Sequence, residues 1–293
     1  MEFRRIAVVG AGTIGIGVAT DLILHGIPAL LVDVSEAILE RAHREVLNNV
    51  RVAPLLSKTL PRLSREEAAR RMVLTTRLEE VAECDFVIEN VTEDWEIKQP
   101  LYERLERLAR PEVCFGANTS CISITQIGAA TRRAANVVGV HFMNPVQLMP
   151  TVEVIRGFHT SDRAVETLRR LLSLLRKEAI VVADLPGFVS NRISHLFMNE
   201  AAFVLQDNVA SAEKIDQIFK KCFGHKMGPL ETADLIGLDT VMHSLDVLYE
   251  SFHDPKYRCC PLLRKLVQAG LLGRKTGRGF HTYPETKDLT REP

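Results

Sequence analysis

A histidine and a glutamate twelve residues apart are of the types that transfer protons. His141 stands at the carboxyl end of one predicted strand, and Glu153 lies in the next, so strand pairing could bring them together. An imidazole titrates near neutral pH and suits a general base, and a neighbouring carboxylate would fix its tautomer and stabilise the imidazolium. A lone histidine in a strand is more often structural, so this interpretation depends on the motifs around it.

A glycine-rich turn near the start of the sequence indicates a dinucleotide site. It matches the GxGxxG fingerprint and comprises Gly10, Ala11, Gly12, Thr13, Ile14 and Gly15. It follows a predicted strand and opens a helix, the context in which such a turn holds a pyrophosphate. Asp33 ends the second strand 21 residues after Gly12. There a carboxylate would bind the adenine ribose and repel a 2′-phosphate, although it could also be a turn or capping residue. The pattern predicts NAD rather than NADP.

Apolar strands alternate with helices through the first part of the chain. We predict strands at 5–9, 29–33, 72–75, 85–91, 113–117, 137–142, 152–156 and 179–183. Continuous apolar strands are typical of a parallel sheet buried on both faces. We predict helices from an N-cap at Ser35 to about residue 50 and over 162–176. Residues 1–185 are therefore predicted to be an α/β domain with a doubly wound, mostly parallel Rossmann-type sheet.

Two segments depart from this rhythm. Residues 41–71 are helical in character, are broken by Pro54 and Pro61, and carry eight Lys or Arg against three Glu. After Asp184-Leu185-Pro186-Gly187, residues 188–280 show helical periodicity and no convincing strand. We therefore predict a basic helical insertion in the first domain and an all-helical C-terminal domain over 186–293.

The composition is typical of an ordinary globular protein. Hydrophobic residues make up 46% and charged residues 25%, and 37 Lys and Arg balance 37 Asp and Glu, which argues against a general nucleic-acid binder. The six cysteines form no CxxC pair, so we expect reduced thiols and no metal site. No leader precedes the first strand, and no apolar run approaches the roughly 20 residues of a membrane span. We expect a cytoplasmic enzyme without a membrane anchor.

The ordered set of motifs resembles the 3-hydroxyacyl-CoA dehydrogenase family over essentially the whole chain. The matching segments are Gly10 to Gly15, Glu89-Asn90-Val91-Thr92-Glu93, Asn118-Thr119-Ser120, His141-Phe142-Met143-Asn144-Pro145, Thr151-Val152-Glu153-Val154-Ile155, Asn191-Arg192, Met227-Gly228-Pro229, Gly237-Leu238-Asp239 and Gly273-Arg274-Lys275-Thr276-Gly277. The resemblance implies NAD-dependent oxidation of a 3-hydroxyacyl thioester in fatty acid metabolism. It also implies a catalytic dyad of His141 and Glu153.

The resemblance implies roles for further residues. Ser120 would lie near the nicotinamide and the substrate hydroxyl, and Asn191 would contact the substrate, although both could instead be helix caps. Cofactor contacts are implied for Glu93, Lys98, Asn144 and Lys275. Glu93 and Lys98 could also be a solvated pair at a helix start, and Lys275 could belong to a plain basic loop.

Two departures from the family pattern bear on the substrate. Cys121 stands where relatives often carry a second serine, and Gln147 stands where a proline is common. The default substrate is 3-hydroxybutyryl-CoA. The alternatives are a hydroxyacyl unit tethered to an acyl carrier protein in secondary metabolism, and a free hydroxy acid. From a different class, the chain could be a non-catalytic NAD-binding structural protein, which would not need Ser120, His141, Glu153 and Asn191 together.

Two further expectations concern partners. The apolar stretches Val241 to Tyr249 and Leu262 to Leu272, together with the resemblance, predict a homodimer through the C-terminal domain. The basic insertion could bind an anionic carrier, either CoA or the acidic surface of a carrier protein, or it could be a solvated helical hairpin. Its candidate cations are Arg44, Arg51, Lys58, Arg62 and Arg65.

Overall fold

The chain divides into two compact units. A computed structural model describes residues 3–284, and one unit ends at Leu185 where the other begins at Pro186. Among the described residues, no helix is both long and apolar enough to cross a membrane. The first unit contains the sheet and the proposed proton-transfer residues, and the second is helical.

Eight short strands form the centre of the first unit. They are β1 (Ile6–Val9), β2 (Ala29–Val32), β3 (Met72–Thr75), β4 (Phe86–Glu89), β5 (Cys114–Ala117), β6 (Val137–His141), β7 (Thr151–Arg156) and β8 (Glu178–Ala183). They lie in the order β3-β2-β1-β4-β5-β6-β7-β8, and only the β6–β7 pair is antiparallel. The predicted mostly parallel Rossmann-type sheet is therefore confirmed. Strands β2 and β3 lie on one side of β1, and β4 and the strands after it lie on the other side. Sheets of this kind bind ligands at the carboxyl ends of the strands where the strand order reverses, here between β1 and β4.

Six α-helices accompany the sheet. They are α1 (Thr13–Leu24), α2 (Glu36–Leu56), α3 (Arg65–Arg70), α4 (Trp95–Leu108), α5 (Ile124–Ala129) and α6 (Asp162–Leu174). Helix α1 is buried all round from Gly15 to Leu24, because it packs between the sheet and its neighbouring helices. Apolar side chains of α2 and α6, such as Val46 and Leu168, are also fully buried. This packing holds the start of α1 against the carboxyl edge of the sheet.

Helix α2 corrects the prediction for residues 41–71. The predicted break at Pro54 is wrong, because the helix begins after the Ser35 cap and continues through the proline to Leu56. Pro54 lies in the last turn and lacks the N–H that would donate to the carbonyl oxygen of Val50, so continuing the helix costs that hydrogen bond. Val50 and Ala53 beside it are buried in the core, and this burial favours continuing the helix. The basic segment is therefore the second half of α2, a connection and the short helix α3.

The described part of the second unit contains five α-helices. They are α7 (Ser190–Gln206), α8 (Ala212–Cys222), α9 (Pro229–Ile236), α10 (Leu238–Phe252) and α11 (Pro261–Gln268). They enclose a separate hydrophobic core to which Met198, Leu230 and Leu263 contribute. The all-helical second part of the predicted fold class is confirmed.

Candidate active site

The turn between β1 and α1 has the shape of a dinucleotide cradle. Gly10 has a φ of +100°, and a Cβ there would lie 2.7 Å from the carbonyl carbon of Asn90. A Cβ at Gly15 would overlap the carbonyl oxygen of Gly10, so neither position accepts a side chain. A Cβ at Gly12 would meet nothing within 4 Å. The backbone is therefore open at Gly12, where a ligand phosphate can approach closely.

The N-terminus of α1 supplies donors for that phosphate. Gly12 is the N-cap residue, and no side chain caps the first turn of the helix. The first backbone N–H groups, from Thr13 onward, consequently point out of the helix together with the positive end of its dipole. These groups fit a pyrophosphate, as the sequence motif predicts.

Asp33 follows β2 at the same edge of the sheet. Its Oδ2 accepts the backbone N–H of Ala11 at 2.8 Å, and its Oδ1 accepts that of Ser35 at 3.3 Å. The side chain is partly exposed beside the glycine turn. A carboxylate held there can accept hydrogen bonds from ribose hydroxyls, and it would repel a 2′-phosphate.

The structure places His141 and Glu153 opposite each other. They are register partners in the antiparallel β6–β7 pair, and His141 Nδ1 lies 2.9 Å from Glu153 Oε2. Their side chains are 7% and 11% exposed, so the contact is largely shielded from water. A proton on Nδ1 directed at the carboxylate leaves Nε2 with its lone pair available.

Ser120 approaches His141 from the other side. It lies in the irregular segment 118–122, which connects β5 to α5, and its Oγ is 3.1 Å from His141 Nε2. With Nδ1 protonated, the serine hydroxyl donates to Nε2. The three side chains form the hydrogen-bonded chain Ser120–His141–Glu153, in which the serine hydroxyl lies beside Nε2, the nitrogen that can accept a proton.

Glu93 and Lys98 are placed differently from a solvated pair. Glu93 Oε1 accepts the backbone N–H groups of Ser120 and Cys121, both at 2.8 Å. The Lys98 side chain is fully buried, and its Nζ donates to both oxygens of Glu89 at 2.7 and 2.8 Å. Sequence analysis assigns Glu89 no role, although it is the buried ion-pair partner of Lys98. The available signal was a charged residue at the end of an apolar strand.

The remaining predicted residues occupy a loop and the second unit. Asn144 is exposed in the loop between β6 and β7. In the second unit, Asn191 is the second residue of α7, and its carbonyl oxygen lies 3.0 Å from the Nδ1 of His195. Lys275 lies in a single 3₁₀ turn, and its Nζ contacts both carboxylate oxygens of Asp239 at 2.6 and 2.7 Å.

Comparison with known proteins matches both units of the chain to the same family. Residues 5–185 match the 3-hydroxyacyl-CoA dehydrogenase NAD-binding domain, and residues 187–283 match the 3-hydroxyacyl-CoA dehydrogenase C-terminal domain. A 3-hydroxybutyryl-CoA dehydrogenase of Bradyrhizobium diazoefficiens is 40% identical over 286 residues, covering 98% of this chain and 97% of that protein. A probable 3-hydroxybutyryl-CoA dehydrogenase of Bacillus subtilis is 39% identical over 289 residues, covering 97% of this chain and 99% of that protein.

A solved structure has the same fold. The crystal structure of (S)-3-hydroxybutyryl-CoA dehydrogenase from Ralstonia eutropha superposes with a TM-score of 0.90 at 39% identity, covering 97% of this chain and 100% of that one. The predicted family, enzyme class and NAD cofactor are confirmed by these matches. This chain belongs to the 3-hydroxyacyl-CoA dehydrogenase family of NAD-dependent oxidoreductases.

Proposed function

We propose that this enzyme oxidises the 3-hydroxyl of a 3-hydroxyacyl thioester to the 3-oxo group, with 3-hydroxybutyryl-CoA as its preferred substrate. The observation that carries the proposal is the hydrogen-bonded chain Ser120–His141–Glu153 at the carboxyl edge of the sheet. A hydroxyl oxidation needs a base for the hydroxyl proton beside a hydride acceptor. The relatives that match nearly the whole chain carry the name 3-hydroxybutyryl-CoA dehydrogenase.

In this mechanism His141 is the general base. Its Nε2 takes the proton of the substrate 3-hydroxyl. Ser120 Oγ lies 3.1 Å from Nε2, and its hydroxyl donates a hydrogen bond to the substrate oxygen as that proton leaves. Glu153 holds Nδ1 protonated and stabilises the imidazolium that forms. NAD supplies the hydride acceptor when bound. In the reverse direction, the imidazolium returns the proton to the 3-oxo oxygen.

Several residues are proposed to hold the cofactor and substrate. The backbone from Gly10 to Gly15 and the N-terminus of α1 hold the pyrophosphate, and Asp33 binds the adenine ribose. Asn144 in the exposed β6–β7 loop and Lys275 in the second unit add cofactor contacts, and Asn191 at the start of α7 contacts the acyl group. Glu93 keeps part of its side chain exposed, at 28%, and can also face the cofactor.

A cavity lined by arginines supports the proposal that the substrate is attached to an anionic carrier. A cavity of about 730 Å³ lies beside the second half of α2 and the connection to α3, and Arg44, Arg51, Arg62 and Arg65 line it. Leu55 at its edge is 84% exposed, so an apolar surface adjoins the cations. Such a lining fits a ligand that combines phosphates with apolar groups, as CoA does. It favours CoA or a phosphopantetheine carrier over a free hydroxy acid.

A single assay distinguishes the candidate substrates. NADH formation is measured with 3-hydroxybutyryl-CoA, the matching carrier-protein thioester and free 3-hydroxybutyrate, each at saturating NAD. We expect the highest kcat/KM with the CoA ester and little turnover of the free acid. A preference for the carrier-protein ester would reassign the carrier, and no NADH from any thioester would refute the proposed function.

A further inference from the structure

The segment that carries Ser120 is irregular and must be held by contacts outside itself. Residues 118–122 lie between β5 and α5 and follow no regular secondary structure. A shift of 1 Å in the hydroxyl of Ser120 would break its hydrogen bond to His141, which is 3.1 Å long. The contacts that fix this segment therefore also fix the geometry of the proposed base.

One carboxylate oxygen accepts four donors of that segment. Glu93 Oε1 accepts the backbone N–H groups of Ser120 and Cys121 at 2.8 Å and that of Ile122 at 3.3 Å. It also accepts the hydroxyl of Thr119 at 2.5 Å. Hydrogen bonds to an ionised acceptor are about twice as strong as neutral ones, so this cluster is a strong anchor.

A buried ion pair holds the other end of the segment. The third donor of Lys98 Nζ goes to the carbonyl oxygen of Asn118 at 3.1 Å, in addition to its two contacts with Glu89. Glu89 is fully buried and also accepts the hydroxyl of Tyr102 at 2.9 Å. Burial raises the pKa of Glu89, and the adjacent ammonium of Lys98 opposes that rise.

The carboxylate of Glu93 interacts mainly with the N–H groups of the segment and less with the ammonium of Lys98. Glu89 neutralises Lys98 at 2.7 Å, whereas Glu93 Oε2 lies 3.8 Å from the same ammonium. The negative charge of Glu93 is therefore balanced mainly by the N–H dipoles of Ser120, Cys121 and Ile122. Because attraction between that charge and those dipoles is mutual, the carboxylate holds the segment in place.

We propose that Glu93 is a positioning residue that acts through Ser120, and that Lys98 supports the same segment from Asn118 instead of contacting the cofactor. This inference rests on the proposed function, since it assigns the effect of Glu93 to the proton-transfer geometry. Lys98 is fully buried with its three donors engaged by Glu89 and Asn118, which supports a role inside the protein. Glu93 differs, because its side chain is 28% exposed.

A double-mutant cycle tests the route from Glu93 to Ser120. Glu93→Gln weakens the charged acceptor, and we expect kcat at saturating NAD to fall about tenfold or more. In a Ser120→Ala background, the same change should reduce kcat little further, because the positioned hydroxyl is already gone. Glu96→Gln, on the exposed first turn of α4, is the matched control and should leave kcat and the Kd for NAD unchanged.

Two results would overturn the proposal. One is a Glu93→Gln enzyme whose Kd for NAD rises while kcat at saturating NAD stays normal, because that pattern marks a cofactor contact. The other is a multiplicative loss in the double variant, because that pattern marks independent action. Should Glu93→Gln fold poorly, Thr119→Val removes one donor to the carboxylate and should lower kcat in the same Ser120-dependent way.

Amide hydrogen exchange separates this inference from the proposed function. Glu93→Gln should speed exchange at Ser120 and Cys121, whose N–H groups bind the carboxylate, whatever substrate the enzyme uses. Unchanged exchange there would refute the anchor. A wild-type enzyme that turns over no hydroxyacyl thioester would instead refute the proposed function and leave the exchange result standing.

Discussion

The ring of His141 is held at both nitrogens by polar side chains. Glu153 lies 2.9 Å from Nδ1 and Ser120 lies 3.1 Å from Nε2. In the proposed mechanism the carboxylate orients the ring and stabilises the imidazolium that forms, and the serine occupies the side from which the substrate hydroxyl arrives. A purely structural histidine would not need an oriented lone pair at the ligand edge of the sheet.

Removing the base should slow the chemical step and spare cofactor binding. His141→Ala is expected to lower kcat by about 10²–10⁴, the usual contribution of a general base, with little change in the Kd for NAD. Glu153→Gln should also lower kcat, because the amide cannot stabilise the imidazolium. Steady-state kinetics and NAD titration measure both effects. Near-normal turnover by His141→Ala would contradict the assignment.

Asp33 is expected to determine cofactor choice. Its carboxylate is held beside the glycine turn by Ala11 and Ser35, and Val34-Ser35-Glu36 offers no cation to bind a 2′-phosphate. Asp33→Ala should weaken NAD binding about tenfold and narrow the preference for NAD over NADP. The check is kcat/KM for both cofactors in both proteins. Equal wild-type values would show that Asp33 does not select between them.

His25 should give the stability of the fold a pH dependence. Burial of the ring opposes its charging, but hydrogen bonds and attraction to the fully buried Asp21 outweigh this and raise the pKa of His25. Lys177 Nζ also lies 3.2 Å from Asp21 Oδ2, and the positive charge of Arg176 opposes the rise in the pKa of His25. Because the folded pKa lies above the ordinary value of 6.5, the charged ring stabilises the fold fully below pH 6.5. That contribution is lost as pH rises through the folded pKa.

The free energy of unfolding, measured from pH 6 to 9, tests this. Relative to His25→Gln, the wild type should lose stability as pH rises above 6.5. Asp21→Asn should remove most of the same dependence, because it removes the partner that raises the pKa. Parallel curves for wild type and His25→Gln would contradict the linkage.

At the scale of elements, four arginines that are spread over about twenty residues of sequence lie close together near the end of α2. Arg44 and Arg51 lie on α2, Arg62 on the connection and Arg65 at the start of α3, and all four line one cavity. Lys58, which the sequence prediction groups with them, is exposed but does not line it. The structure therefore supplies a control within the same segment.

Charge reversal in the cavity should act on the carrier and not on the chemistry. Arg51→Glu is expected to raise KM for the CoA ester about tenfold with kcat nearly unchanged, and added salt should reduce the difference. Lys58→Glu should have a much smaller effect. A truncated pantetheine thioester lacks the CoA phosphates and should not respond to Arg51→Glu. Equal changes in KM for the CoA ester and the truncated thioester would show that the segment does not bind the carrier and is a solvated hairpin.

At the scale of the whole molecule, the second unit gives a revised basis for expecting a dimer. Val241 and Leu245 of α10, and Leu263 of α11, are buried in the unit's own core, so much of the two predicted apolar stretches needs no partner. The most exposed large apolar side chains of the described residues in this unit lie outside those stretches. Ile193 of α7 is 64% exposed, and Phe223, which follows α8, is 66% exposed.

We predict a homodimer that covers these side chains. Sedimentation velocity at micromolar concentration should show about twice the chain mass of 32.8 kDa. Ile193→Glu should raise the dimer dissociation constant about tenfold or more, because it places a charge in an apolar contact. Lys214→Glu, a polar change on α8, is the matched control. A wild-type monomer at that concentration would contradict the prediction.

The sequence by itself determined the class of protein because the features that carry it are local. The glycine turn works through backbone geometry within six residues, and Asp33 follows its own strand directly. Apolar strands of four to six residues, bounded by turns, indicate the buried sheet without knowledge of its neighbours. The Ser35 cap likewise needs only the N–H of Ile38, three residues away.

Tertiary structure decided what depends on contacts between distant segments. The register of β6 and β7 places Glu153 opposite His141, and a shift of one residue would have turned its side chain to the other face of the sheet. Burial decided that α2 continues through Pro54, and folding gathered Arg62 and Arg65 beside Arg51 while leaving Lys58 outside. Glu89 and Lys98 are ordinary charged residues in the sequence. They become a buried pair only because α4 packs over the end of β4, where desolvation makes each the required partner of the other.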